Sequence, residues 1–140
     1  MDINTETDGG LYIGEIYNKA LILAPKKYEK GFNYYHEALI YVKSLPGNWT
    51  IPSKSEFVLI SQHLNKLNDD YKFLSYDNDE VSYWTSSFDK YEGNDTKNHI
   101  FEYHKSEAPT FGTSSTGWSP AEGEKPLDDI YYYVRPIKLV

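Results

Sequence analysis

The stretch Asn48-Trp49-Thr50-Ile51-Pro52-Ser53-Lys54-Ser55-Glu56-Phe57 decides how this chain is read. Ser53 and Glu56 stand three apart with Phe57 directly after, the spacing of a capping box. There the serine hydroxyl takes the N–H of the third helical residue while the glutamate reaches back to the serine N–H. Pro52 sets the approach, because proline disfavours helix in the residue before it. The spacing predicts a helix from Ser53, with Phe57, Ile60, Leu64 and Leu67 on its inward stripe. Asn68-Asp69-Asp70 ends it.

Working upstream, Tyr35, Ala38, Leu39, Val42 and Leu45 recur at helical spacing behind Asn33, which is placed to cap them. Pro46-Gly47 stops that helix. Pro25 to Gly31 reads as a charged connector. Leu11-Tyr12-Ile13 and Lys19 to Ala24 read as two short strands separated near Gly14 to Asn18. Residues 1–9 are polar and read as a tail, which leaves residues 10–140 as one domain.

Downstream the period changes. Tyr83-Trp84-Thr85-Ser86-Ser87-Phe88 is a run of strand formers. A turn at Asn94-Asp95 leads to an antiparallel partner over Asn98 to Tyr103. Ile130 to Val134 and Arg135 to Leu139 close the chain, and Pro136, which cannot donate to a ladder, marks an edge or a bulge. Ser106 to Asp129 has no periodicity and reads as a loop, long enough for a functional role. No internal repeat is present. The order of elements is that of an α+β domain, with two helices packed on a small, mostly antiparallel twisted sheet carrying long loops.

Three segments in this order resemble a known family. Trp49-Thr50-Ile51-Pro52-Ser53 with Glu56-Phe57 resembles the Trp-Arg-Leu-Pro-Thr-x-x-Glu-Leu signature of bacterial Lcl-type C-terminal domains. Tyr83-Trp84-Thr85-Ser86-Ser87 is similar to that family's Tyr-Trp-Ser-Ser strand, and Val134-Arg135-Pro136-Ile137-Lys138 to its closing Val-Arg-Pro-Val-Arg. The resemblance covers residues 10–140 and implies a C-type lectin-like fold. Trp49 and Trp84 are then core anchors, and Arg135 pairs with an acidic residue or with loop carbonyls. Thr50 departs from the family's arginine, so an internal ion pair of that family is missing here. The calcium-site motifs and disulfides of animal C-type lectins are absent, and so are the cysteines used by sulfatase-activating enzymes of the same fold.

Composition narrows the function. The chain has 140 residues, and 14 Lys plus Arg against 21 Asp plus Glu give a net charge of −7. Arg135 is its one arginine, and the densest basic run, Lys26-Lys27-Tyr28-Glu29-Lys30, is interrupted by an acid. No phosphate-tracking patch and no nucleic-acid partner are expected. The aromatic share, 16%, compensates for a modest apolar fraction, because each ring buries a large area. Without cysteine there is no disulfide and no thiol chemistry. No apolar run approaches a membrane span, so no membrane insertion is expected. Met1 to Asp8 lacks the basic and apolar regions of a signal peptide, so synthesis and folding in a cytosol are expected.

No residue set reads as catalytic or metal-binding. His36 and His63 lie on different helices, and His99 and His104, five apart, point to opposite faces of a strand. Zinc needs three or four convergent ligands. Asp77-Asn78-Asp79-Glu80 offers oxygens to calcium but lacks the EF-hand pattern, and reads as a solvated acidic loop. No nucleophile elbow surrounds Ser86, Ser87, Ser114 or Ser115, and Gly9-Gly10 opens no helix. An enzyme and a cofactor are therefore not expected.

The expected site is a binding surface on the long loop: Phe111 and Trp118 as aromatic anchors, Ser114 and Ser115 as hydroxyls, with Tyr131 and Tyr133 extending the face. The competing reading is that Phe111 and Trp118 staple the loop down. The expected function is a non-enzymatic recognition or adhesion module, oligomeric or not, that binds a protein or glycan surface partner. Relatives of the fold work outside cells. A phage virion protein, tail- or capsid-associated and assembled in the host cytoplasm, reconciles that setting with the missing export signal. The alternative from another class is a structural decoration or assembly protein that contacts virion subunits and takes no small ligand.

Overall fold

The computed structural model describes residues 1–74, 81–90, 96–102, 110–114 and 132–140. It is α+β. The strands are β1 (Glu6–Thr7), β2 (Gly10–Ile16), β3 (Lys19–Leu23), β4 (Lys30–Phe32), β5 (Ser82–Lys90), β6 (Thr96–Glu102), β7 (Thr110–Ser114), β8 (Tyr132–Val134) and β9 (Ile137–Leu139). The helices are α1 (Tyr35–Ser44) and α2 (Lys54–Ser61). Where the sequence suggested one sheet, there are two. The first runs β1-β2-β3-β9, antiparallel throughout, and the second runs β4-β8-β5-β6-β7. Within the second sheet β5 and β8 pair in parallel, through Tyr83 opposite Tyr133.

Alternation of side chains along the strands explains the layers. Leu11 and Ile13, Leu21 and Leu23, Tyr83, and Phe101 enter one core cluster with Phe57 and Ile60 of α2. Their neighbours Tyr12, Ile22, Ala24, Trp84 and Ile100 enter a second cluster with Tyr35, Ala38 and Val42 of α1. The two helices thus lie on opposite faces of the strands. Strands buried on both faces read as unbroken apolar runs, as Leu21-Ile22-Leu23-Ala24 does.

Local chemistry accounts for the elements and for where the sequence misled. Both arms of the α2 capping box are made: Ser53 Oγ accepts from the Glu56 N–H at 3.3 Å, and Glu56 Oε1 accepts from the Ser53 N–H at 2.7 Å. The helix is shorter than its stripe suggests. After Ser61 the N–H groups of Gln62 and His63 reach back three residues, not four, and the chain tightens into a 3-10 turn over Leu64–Lys66. Leu64 and Leu67 remain buried regardless. For α1 the cap position is Tyr34, one residue past Asn33, and no side chain caps it.

Three other segments differ from their sequence reading. Residues 1–9 are tied down, because Glu6–Thr7 pairs with Gly10 and Leu11. The connector Pro25 to Gly31 holds a 3-10 turn (Lys26–Tyr28) and the start of the edge strand β4. The stretch read as a loop over Ser106 to Asp129 contains β7, whose Thr110 and Phe111 are strand formers diluted by Gly112 and the serines. Between β2 and β3, Tyr17 and Asn18 both have positive φ, 55° and 61°, the two-residue turn that matches strand twist. Gly10 is required by contact: a Cβ there would sit 2.4 Å from the Leu23 carbonyl oxygen.

Candidate functional site

The three segments singled out in the sequence meet in space. Thr50 and Ile137 exchange both backbone hydrogen bonds, at 2.7 and 2.9 Å. The Ser86 N–H donates to the Pro52 carbonyl at 2.8 Å, and the Lys54 N–H to Ser87 Oγ at 2.9 Å. This docking is possible because β5 bulges: Trp84 opposes Ile100 and Phe88 opposes Asn98, so Thr85, Ser86 and Ser87 face His99 alone. The Thr85 hydroxyl anchors the bulge by donating to the His99 carbonyl at 2.7 Å. Trp49 and Trp84 are both buried, and Trp84 Nε1 donates to the Phe32 carbonyl at 3.2 Å. The hydroxyls of Ser53, Thr85 and Ser87 are therefore all bonded within the fold.

Arg135 is completely buried, and its partners are those expected of it in kind: an acid and carbonyls. Its Nε donates to the Ala24 carbonyl at 2.9 Å, one Nη to Glu29 at 2.8 Å and to the Lys72 carbonyl at 3.1 Å, and the other Nη to the Tyr71 carbonyl at 2.5 Å. The guanidinium also lies over the Phe73 ring at 4.6 Å. Glu29, whose side chain is 1% exposed, accepts further from the Tyr83 hydroxyl at 2.9 Å and the Leu74 N–H at 3.2 Å. Burial holds the Glu29 carboxyl above its usual range, although Arg135 and the other donors pull it back. Arg135 itself is lowered by the same desolvation. Glu29 was missed in the sequence because it sits in a run of lysines, where an acid normally reads as solvated.

The expected binding residues divide. Phe111, on β7, and Tyr133, on β8, are half-buried and share one cross-strand row: Tyr133 opposes Tyr83, Tyr83 opposes Phe101, and Phe101 opposes Phe111. They end that row three strand spacings apart, about 14 Å. Phe111 packs on Phe101 with ring centroids at 5.5 Å, and Lys54 Nζ stands 5.2 Å from the Phe111 centroid. Ser114 closes β7 opposite Asn98. Ser115, Trp118 and Tyr131 lie outside the described residues, as do His104 and the acidic loop Asp77 to Glu80. Among the described residues no group of three or more His, Asp or Glu is placed to hold a metal ion, and no helix is long and apolar enough to cross a membrane.

A feature that the sequence did not announce surrounds Tyr71. A cleft of about 590 Å³ lies between Pro25, Lys26 and Lys27 on one side and Asp69, Asp70 and Tyr71 on the other. Tyr71 also borders a smaller cleft of about 370 Å³, lined by Glu6, Thr7, Gly9 and Gly10. Burial raises the Tyr71 phenol, and the nearby Glu6 carboxylate, which takes its hydrogen bond, adds to the rise. No family model, no curated protein and no solved structure matches this chain.

Proposed function

We propose that this chain is a non-enzymatic recognition module of the C-type lectin-like kind. It works as a phage virion component, tail- or capsid-associated, and binds a protein or glycan partner on the host surface or within the virion. The observation that supports this most is the distribution of polar chemistry. Ser53, Glu56, Thr85, Ser87, Glu29 and Arg135 are all bonded within the fold, where they hold elements together and offer no reactive group to a substrate. In contrast Phe111 and Tyr133, which stand on the strands before and after residues 115–131, keep part of their rings exposed. Rigid aromatic anchors beside Gly, Ser and Thr suit recognition, as large contact areas at low entropy cost.

The test is attachment to candidate surfaces by the wild type and by Trp118→Ala, with melting recorded in parallel. Anchors of this kind contribute about 2 kcal/mol or more, so attachment should weaken about 30-fold. Melting should be unchanged. Phe111→Ala is the second variant, and it should lose attachment together with some stability, because its ring packs on Phe101. Full attachment by both variants would remove the loop from the interface. Probing gradient-purified virions for the chain tests the setting, and its absence from particles would refute that part.

A further inference from the structure

We propose that the cleft beside Tyr71 binds a small zwitterion of amino-acid to dipeptide size. Its carboxylate faces Lys26 and Lys27, and its ammonium faces Asp69 and Asp70. This is a separate site from the aromatic loop and does not depend on it. The argument begins with charge: lysines form one wall and aspartates the other. All four are exposed, yet no ion pair crosses the cleft. Asp69 pairs along its own turn with Lys72 at 3.0 Å, while Lys26, Lys27 and Asp70 have no ion-pair partner among the described residues.

Unlike charges on flexible turns would normally close on each other, and here the backbones of both walls are anchored from beneath. Arg135 bonds the Ala24 carbonyl, next to the lysine wall, and the Tyr71 and Lys72 carbonyls behind the aspartate wall. Glu29 repeats the clamp, bonded to Arg135 and to the Leu74 N–H. Each wall is itself a 3-10 turn, Lys26–Tyr28 and Asp69–Tyr71. The buried Arg135–Glu29 pair thus fixes in advance the spacing of the two turns that carry the opposite charges, so no backbone ordering is required when a ligand binds. The volume lies within the range of small-molecule sites, and the largely buried Tyr71 adds an aromatic residue to the lining. A ligand of one sign would satisfy one wall and be repelled by the other, whereas a zwitterion satisfies both.

The experiment is a titration of the isotope-labelled full chain followed by amide shifts, with three probes: dialanine, N-acetyl-dialanine and dialanine amide. Dialanine should shift the amides of Lys26, Lys27, Asp69 and Asp70 saturably, with a dissociation constant on the order of millimolar, as a ligand of its size allows. Each blocked analogue lacks one charge and should bind about tenfold more weakly. Lys26→Ala with Lys27→Ala should weaken dialanine about tenfold, and so should Asp70→Asn, both without change in melting because these side chains are exposed. The proposal is overturned by the absence of saturable shifts at these amides up to about 50 mM. Equal binding of the blocked analogues, or undiminished binding by the variants, overturns it as well.

Discussion

Replacing Arg135 by methionine keeps much of the apolar stem and removes every donor of the buried network. The Ala24, Tyr71 and Lys72 carbonyls lose their partner, and Glu29 loses its counter-charge at 2.8 Å. Deleting one member of a buried ion pair costs about 3–5 kcal/mol, chiefly because the other charge stays buried. The stranded carbonyls keep the cost in the upper half of that range. For a domain of this size the melting temperature should fall by roughly 10–15 °C. The loss also depends on pH, with a definite sign. Burial already raises the Glu29 carboxyl above 4.5, and removing Arg135 removes the largest opposing influence, so it rises further. A carboxyl raised in the folded state binds more protons there than in the unfolded chain. Its stabilising contribution is full below about pH 4.5 and is lost as the pH rises through the folded value. Urea titrations of wild type and Arg135→Met at pH 4.5 and pH 7 should show the larger deficit at pH 7. Adding Glu29→Gln to the variant should flatten that dependence. A cost below about 1 kcal/mol at pH 7, or equal deficits at both pH values, would refute the account.

Three further outcomes follow from the packing. Trp84→Ala should cost about 3–5 kcal/mol in urea titration, because Trp84 is fully buried between the Tyr35 and Tyr132 rings, and a loss under about 1 kcal/mol would contradict its placement. Gly10→Ala should cost about 1–3 kcal/mol through overpacking against the Leu23 carbonyl, and an unchanged urea midpoint would show that β2 and β3 separate freely. Burial raises the phenols of Tyr35, Tyr41 and Tyr71 above 10.0, so the stability they lend is full below about pH 10 and lost as the pH rises through their folded values. Melting midpoints should fall between pH 9 and pH 11 with phenolate absorbance rising on unfolding; equal midpoints would argue against it.

What the sequence disclosed was governed by range. The capping box at Ser53 and Glu56 is a four-residue event and could be read directly. The buried stripes of both helices were legible for the same reason, and so was the burial of Trp49, Trp84 and Arg135 once the motifs were taken together. Glu29 could not be placed, because its burial depends on Arg135, which lies 106 residues away in the chain. The division into two sheets was equally hidden, since it rests on β9 choosing β3 while β8 inserts between β4 and β5. Of the expected recognition residues, Phe111 and Tyr133 carried a strand signal as strong as any binding signal. The row that joins them through Tyr83 and Phe101 is a matter of register, which no local pattern states. The cleft at Tyr71 was missed because its walls come from two charged turns that look like ordinary solvated connections.

The position of β8 has a consequence for how the domain is made. Strand β4, near residue 30, has β8 as its sheet neighbour, and β8 also fills the slot beside β5. On a ribosome, β4 and β5 are therefore synthesised long before the strand that will lie between them, and Arg135 arrives later still. Until then β4 has no strand to join it to the rest of the second sheet, and Glu29 lacks its buried partner. The consecutive strands β1-β2-β3 and β5-β6-β7 can pair early, but neither sheet is complete until β8 and β9 are made. Completion of the fold is slow for its size, because the contacts that join β8 and β9 to earlier strands are distant in sequence. In the interval its unpaired strand edges need shielding from other nascent chains.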